Sequence, residues 1–239
     1  MLKKLLKHEL KNIFRDKMYT FLAIYPIIMA VIAYFLVPYL EENSPGLASD
    51  IVVLVFILLN GFMFGAITGF TLLDDQDDKV LLSLRITPIS VKYYVLLKLV
   101  ISYLLGIFAT FILLLLSGFL ASSTFLDITY IIILAPLQGP LFALLINSLA
   151  SNKVEGFVIM KLSGIILLIP IAALFLTQWT ELFLGIIPGF WTSRIISMQL
   201  IEQDYFLKYS FIYFILGIFV HLVVGYLLFK LYQRKTQIS

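Results

Sequence analysis

Long apolar runs separated by short polar breaks divide the 239-residue chain, and most of its charge sits in the breaks. Six runs approach the ~20 residues that a helix needs to cross a ~30 Å hydrocarbon core. They are Tyr19–Leu40, Ile51–Leu73, Val95–Leu120, Ile128–Ala150, Leu162–Trp179 and Tyr209–Leu231. The period-two alternation of a membrane barrel is absent. Ahead of the first run, residues 1–18 carry Leu2, Leu5, Leu6, Leu10, Ile13 and Phe14 at helical spacing. Lys3, Lys4, Lys7, Lys11 and Arg15 occupy the other faces. A basic amphipathic helix of this kind lies in the membrane interface. A secretory signal fits poorly, because the basic region is too long and no A-x-A site follows the apolar run. The pattern predicts an all-α membrane protein: a single transmembrane domain over 1–239 with six spans and an interfacial N-terminal helix.

Two breaks have structure of their own. Between the second and third runs, Asp74, Asp75, Asp77 and Asp78 precede Val80, Leu81, Leu82, Leu84 and Ile86, and Pro88 follows. Acids favour a helix N-terminus, and the residue before proline resists helical geometry. This predicts a helix of two or three turns, Asp77 to Ile86, whose apolar side meets either a partner protein or lipid headgroups. Between the fifth and sixth runs, Thr180–Lys208 is long enough for a further span, but Pro188-Gly189 breaks it. It reads as two short helices that dip into the outer leaflet and return, or as an amphipathic surface loop. The first is tolerable only where the broken backbone is buried against protein.

Composition agrees with the pattern: 62% of residues are hydrophobic and 13% charged, with mean hydropathy +1.05, which excludes an ordinary soluble domain. Charge then sets orientation. With the N-terminus inside, 15 of the 17 Lys and Arg fall on inner segments and only Arg194 and Lys208 outside, while the 14 acids split evenly. That asymmetry predicts a multi-pass protein of a bacterial cytoplasmic membrane with both termini cytoplasmic. Cysteine is absent, which excludes disulfides and cysteine metal sites. No G-x-x-x-x-G-K-[ST] loop occurs, so any ATP must be bound by another chain.

Within the spans, Gly61, Gly65 and Gly69 form a small-residue ladder beside Asn60. Such a stripe admits a second helix at close range, from the same subunit or across a dimer. Gly217, His221 and Gly225 share one face of the sixth span. An intramembrane histidine is costly and marks function by default, yet it also serves as an interhelical hydrogen-bond donor; with no second His or acid beside it, the structural role is preferred. Pro26, Pro136 and Pro140 permit bends. Asn60, Gln138, Asn147 and His221 are the candidates for a translocation path, although an amide more commonly bonds a neighbouring helix. Glu41-Glu42 lies in an outer loop, and His8 is the second of two histidines. No nucleophile has a placed base, so no catalytic residue, bound cofactor or metal is expected.

These features together resemble the membrane subunit of a type-2 ABC transporter, the permease family of bacterial exporters. The resemblance covers nearly the whole chain. It rests on the basic helix, the six spans and the segment Asp77-Asp78-Lys79-Val80-Leu81-Leu82-Ser83-Leu84-Arg85-Ile86-Thr87-Pro88-Ile89-Ser90, followed by Lys98. The segment is similar to the family's pattern of acids, LL-S and TP-S, although the family has a glycine before the Leu-Leu pair where this chain has none. Asn152–Phe157 and Pro188–Trp191 further resemble the fluoroquinolone-export branch. The resemblance implies a dimer of permeases, homo- or heteromeric, each docked on a cytoplasmic ATPase subunit that carries ATP and Mg. It makes the loop helix the coupling helix, with Asp77, Asp78, Lys79, Leu81, Leu82, Leu84 and Arg85 as docking residues. It also implies export of hydrophobic or amphipathic compounds such as drugs, with amphipathic peptides, toxins or lipids as the alternative cargo. An ion-coupled carrier is disfavoured by the lack of intramembrane acids and of an internal repeat.

Overall fold

The computed structural model describes residues 11, 14–44, 47–84, 86 and 90–236. The expected interfacial helix over 1–18 falls almost wholly outside them, as do Arg85 and Pro88. Helix α1, Lys17–Asn43, starts where the Asp16 carboxylate accepts the Met18 amide at 2.8 Å. Helix α2, Ala48–Asp77, turns into the five-residue α3, Val80–Leu84. Helix α4, Val91–Leu116, is capped by Ser90 and followed by Gly118 at φ +79°, a left-handed turn that glycine adopts without strain. After the single turn α5, Phe119–Ser122, the fourth crossing is assembled from α6, Phe125–Leu134, and α7, Gln138–Leu149. A 3₁₀ turn over Ala135–Leu137, containing Pro136, joins them. Helix α8, Lys153–Ile166, passes into a 3₁₀ stretch, Ile169–Leu174. A second 3₁₀ segment, Trp179–Ile186, leads into α9, Pro188–Leu200, and α10, Ser210–Thr236, completes the bundle.

No strand occurs among the described residues, and six helical segments are long and apolar enough to cross a membrane. The chain is therefore all-α, as the apolar runs predict. Two boundaries differ for identifiable reasons. The fifth crossing begins at Lys153, well before the expected Leu162. Asn152 accepts the Glu155 amide at 3.0 Å while the Glu155 carboxylate accepts the Ser151 amide at 2.7 Å, a reciprocal cap that starts a helix there. The second crossing runs on to Asp77, so three of the four aspartates end α2 and do not begin the next helix. Carboxylates at a helix C-terminus are unfavourable by ~0.3–1 kcal/mol each unless paired, and pairing at Asp74 and Asp75 is what resolves the conflict.

Helix α2 is the most enclosed of the six crossings, whereas α10 shows most of its surface. The glycine ladder explains the enclosure. A Cβ on Gly61 would lie 2.9 Å from the Ala135 carbonyl oxygen, one on Gly65 2.6 Å from that of Gly139, and one on Gly69 3.1 Å from Ile146. The stripe is filled by the fourth crossing of the same chain, which leaves it unavailable as a dimer face. Helix α9 lies antiparallel to the first half of that crossing. Gly189 sits against Gln138 and Pro170, while the Gln199 amide donates to the Asp127 carboxylate at 2.9 Å.

Gly65→Leu drives a side chain into backbone that cannot yield, so the variant is expected to lose its monodisperse peak in size-exclusion chromatography. Gly164→Ala, whose Cβ meets only the Phe62 ring at 3.8 Å, should elute like the parent.

Candidate functional site

The end of the bundle where α2 meets α3 concentrates charge. Asp74 and Asp75 are adjacent in sequence and face different neighbours. Asp75 binds Lys98 of α4 at 2.5 Å and accepts the Tyr94 hydroxyl at 3.0 Å. Lys98 also reaches the Thr71 carbonyl at 3.4 Å and lies over the Tyr94 ring. Asp74 binds Lys153 of α8 at 2.8 Å and accepts the Tyr19 hydroxyl of α1, whose ring lies under the same lysine. Two consecutive carboxylates thus tie α2 to three other crossings. A third tie runs through Gln76, which donates to the Asn147 side-chain oxygen at 2.8 Å. Tyr19, Asp74, Asp75, Tyr94 and Lys98 line a cleft of about 480 Å³ together with Arg15, Asp16 and Asp78.

Helix α3 is set by its neighbours. Lys79 adopts φ +57°, and the Leu82 and Ser83 amides close onto its carbonyl. A left-handed backbone costs a non-glycine residue ~1–2 kcal/mol. The predicted coupling helix is consequently short: Val80–Leu84, not two or three turns. Leu81 is buried against Leu72, Val95, Leu99 and Tyr232, and Leu84 is half-buried beside them. Neither is free to dock. Leu82 is 54% exposed and Ile86 91% exposed, and Asp77, Asp78 and Lys79 are exposed as well. Arg85 lies outside the described residues.

The path candidates separate. Asn147 donates to the Gly69 carbonyl at 2.8 Å and to Ala143 at 2.9 Å, a packing role between α7 and α2. Among the described residues His221 makes no interhelical hydrogen bond. Its Nδ1 donates to the Gly217 carbonyl of its own helix at 2.7 Å, because that carbonyl lies one turn away. Its Nε2, the Asn60 amide nitrogen and the Gln138 amide nitrogen are buried without a partner among the described residues. His221 lines a groove of about 340 Å³ between α4, α7 and α10 whose lining includes neither Gln76 nor Asn147.

At the opposite end the structure holds a second polar centre that sequence reasoning missed. Arg194 and Glu181 are fully buried and meet at 2.5 Å. The guanidinium also bonds the Leu176 carbonyl and Ser197, and lies over the Tyr205 ring at 4.9 Å. Tyr213 of α10 donates its hydroxyl to Glu181. Burial pushes the Glu181 carboxyl above its ordinary range, opposed by the Tyr213 hydrogen bond and the Arg194 charge. Counted only as outer-loop charges, these two residues gave one available signal: an isolated cation and an acid in a segment otherwise apolar.

Removing one member of a buried ion pair costs ~3–5 kcal/mol, against ~0–1 kcal/mol for an exposed one. Lys98 is 3% exposed and Lys153 36%. Lys98→Met should therefore lower the thermal unfolding midpoint in detergent strongly, while Lys153→Met should barely move it.

Residues 9–229 match the family model described as fluoroquinolones export permease protein Rv2686c-like. Among characterised proteins the chain is similar to the fluoroquinolones export permease proteins Rv2686c and MT2760 of two Mycobacterium tuberculosis strains, H37Rv and CDC 1551 / Oshkosh. Each is 22% identical over 197 residues, covering 79% of this chain and 78% of the relative. The chain matches no solved structure. A match over nearly its whole length places this membrane protein in the fluoroquinolones export permease family, Rv2686c-like, of drug-export permeases.

Proposed function

We propose that this chain is the transmembrane subunit of an ATP-driven exporter that moves hydrophobic or amphipathic drugs, fluoroquinolones among them, out of the cell. ATP and Mg are bound and hydrolysed on a separate ATPase subunit, and two permeases act together. The family supports the export role, and the relatives' names support the cargo class. The docking role rests on one observation. Leu82 is exposed on α3, just after the exposed Asp77, Asp78 and Lys79, while Leu81, the next residue back, is buried in the bundle.

Consecutive residues on a short helix point in different directions, so this pair makes a contact that faces a partner on one side and its own chain on the other. The loop lies on the cytoplasmic side by the distribution of Lys and Arg, where an ATPase would meet it. A displacement at Leu82 enters α4 and α10 through the cluster of Leu81, Val95, Leu99 and Tyr232. It enters α8 and α1 through Asp74. The permease contributes a difference in affinity for cargo between its two states, which any such switch requires. The segment Thr180–Lys208, whose helix α9 packs along the first half of the fourth crossing, acts as the re-entrant outer cap.

Leu82→Asp should abolish copurification of the ATPase subunit and restore drug accumulation in cells, with membrane insertion unchanged. Export and copurification that both persist would overturn the docking role. Lys79→Gly removes a left-handed side chain and should leave coupling intact or improved, whereas Lys79→Val should lower the yield of the complex; pull-down of the ATPase subunit reads both.

A further inference from the structure

The groove between α4, α7 and α10 has walls that are almost entirely carbon. It holds about 340 Å³ and follows α4 from Leu96 to Tyr103 and α10 from His221 to Phe229. At 1.5 Å per residue that is roughly 10–12 Å, close to the depth of one leaflet of a ~30 Å hydrocarbon core. Toward one end Val95 and Leu99 share a buried cluster with Tyr232. Those positions lie near the first residue of α4 and the last of α10, the side that the distribution of Lys and Arg makes cytoplasmic. The groove therefore belongs to the inner leaflet.

None of α4, α7 and α10 carries an aspartate or glutamate, yet α4 and α10 hold five lysines and arginines. Two of the five are engaged inside the bundle: Lys98 with Asp75, and Lys235 with the Asn147 and Ala150 carbonyls at the end of α7. Lys92 and Lys230 are exposed and make no ion pair among the described residues. Each extends a groove-lining row by one helical turn. Lys92 precedes Leu96 by four residues, and Lys230 follows Tyr226 by four, a spacing that makes side chains neighbours on a helix. Lysine stems lie along apolar surface and carry the ammonium to the interface. A cation in the first turn of α4 also opposes the helix dipole, which favours an anion there.

We propose that this groove is a binding site for one acidic phospholipid of the inner leaflet, with an acyl chain along the groove and the phosphate between Lys92 and Lys230. Charge selects this occupant over a second copy of the chain. Two copies meeting here across a two-fold axis would bring like-charged rims together, with no acid on the three helices to offset them. The lipid ties α4 to α10, the two crossings whose residues Val95, Leu99 and Tyr232 surround Leu81. Its binding is independent of the export reading and is measured without an ATPase.

The full chain in dodecyl maltoside micelles is titrated with dioleoyl phosphatidylglycerol and with dioleoyl phosphatidylcholine, and native mass spectrometry counts the lipids bound. Each lysine beside an anionic headgroup contributes about fivefold in affinity, so the first phosphatidylglycerol is expected to bind about twentyfold more tightly. The double variant Lys92→Gln, Lys230→Gln should bring the two lipids to the same affinity. Lys17→Gln with Lys161→Gln removes two exposed lysines from α1 and α8 and should keep the preference. Val100→Trp fills the groove from a half-exposed position and should abolish saturable binding of both lipids, its elution profile reporting whether it folds. Equal affinity in the parent, a preference that survives the Lys92 and Lys230 changes or is lost with Lys17 and Lys161, or saturable binding in folded Val100→Trp would each overturn the proposal. So would a lipid-free dimer that Val100→Trp converts to monomer, which would make the groove a subunit interface.

Discussion

No side chain fits between Gly65 and the Gly139 carbonyl, and the rest of the bundle depends on that contact. In lipid, association of crossings draws little from the hydrophobic effect and relies on close packing and hydrogen bonds. The ladder sets the register of α2 against the fourth crossing. At one end of that register Asn147 bonds both Gly69 and Gln76, bringing Asp74 and Asp75 level with the lysines and tyrosines that neutralise them. Near its other end Gly61 packs against Gln138. The two polar features of the interior are therefore spaced by a stripe that has no polar side chain of its own.

The charged centres at the two ends are built differently. Beside α3, carboxylates come from one helix and cations from two others, so the contacts hold crossings together where the chain leaves the bundle. At the other end, Arg194 and Glu181 hold a local fold: two short segments and the start of α10 close around one guanidinium. A buried pair offers little net stability compared with apolar residues of the same shape. Its effect is specificity, since an arginine with three fixed acceptors and aromatic faces permits one arrangement of these segments.

The crossings were legible because lipid imposes length and apolarity on each of them, and the family was legible from the acid–Leu-Leu–Ser segment with its flanking spans. The end of α2 was not. Asp74 and Asp75 read as the start of a helix when taken alone, and only Lys98 and Lys153, distant in sequence, make a helix C-terminus tolerable for them. Leu81 and Leu82 were equivalent in sequence and became distinct once the first was buried in a cluster that includes Val95 and Tyr232. Arg194 illustrates the converse. A composition count treats every arginine as a surface charge, and nothing local to Arg194 identifies Glu181, thirteen residues earlier across a proline break, as its partner.

The difference in exposure between the two centres has a consequence for the salt response of the molecule. Mobile ions screen charges that water reaches, over about 8 Å at physiological ionic strength, and leave enclosed pairs almost untouched. Asp74 and Lys153 are each about a third exposed, whereas Arg194 and Glu181 are at zero. Rising ionic strength therefore loosens α8 from α2 beside α3 and leaves the Arg194–Glu181 pair unchanged. The protein has one end that senses its electrolyte and one that does not.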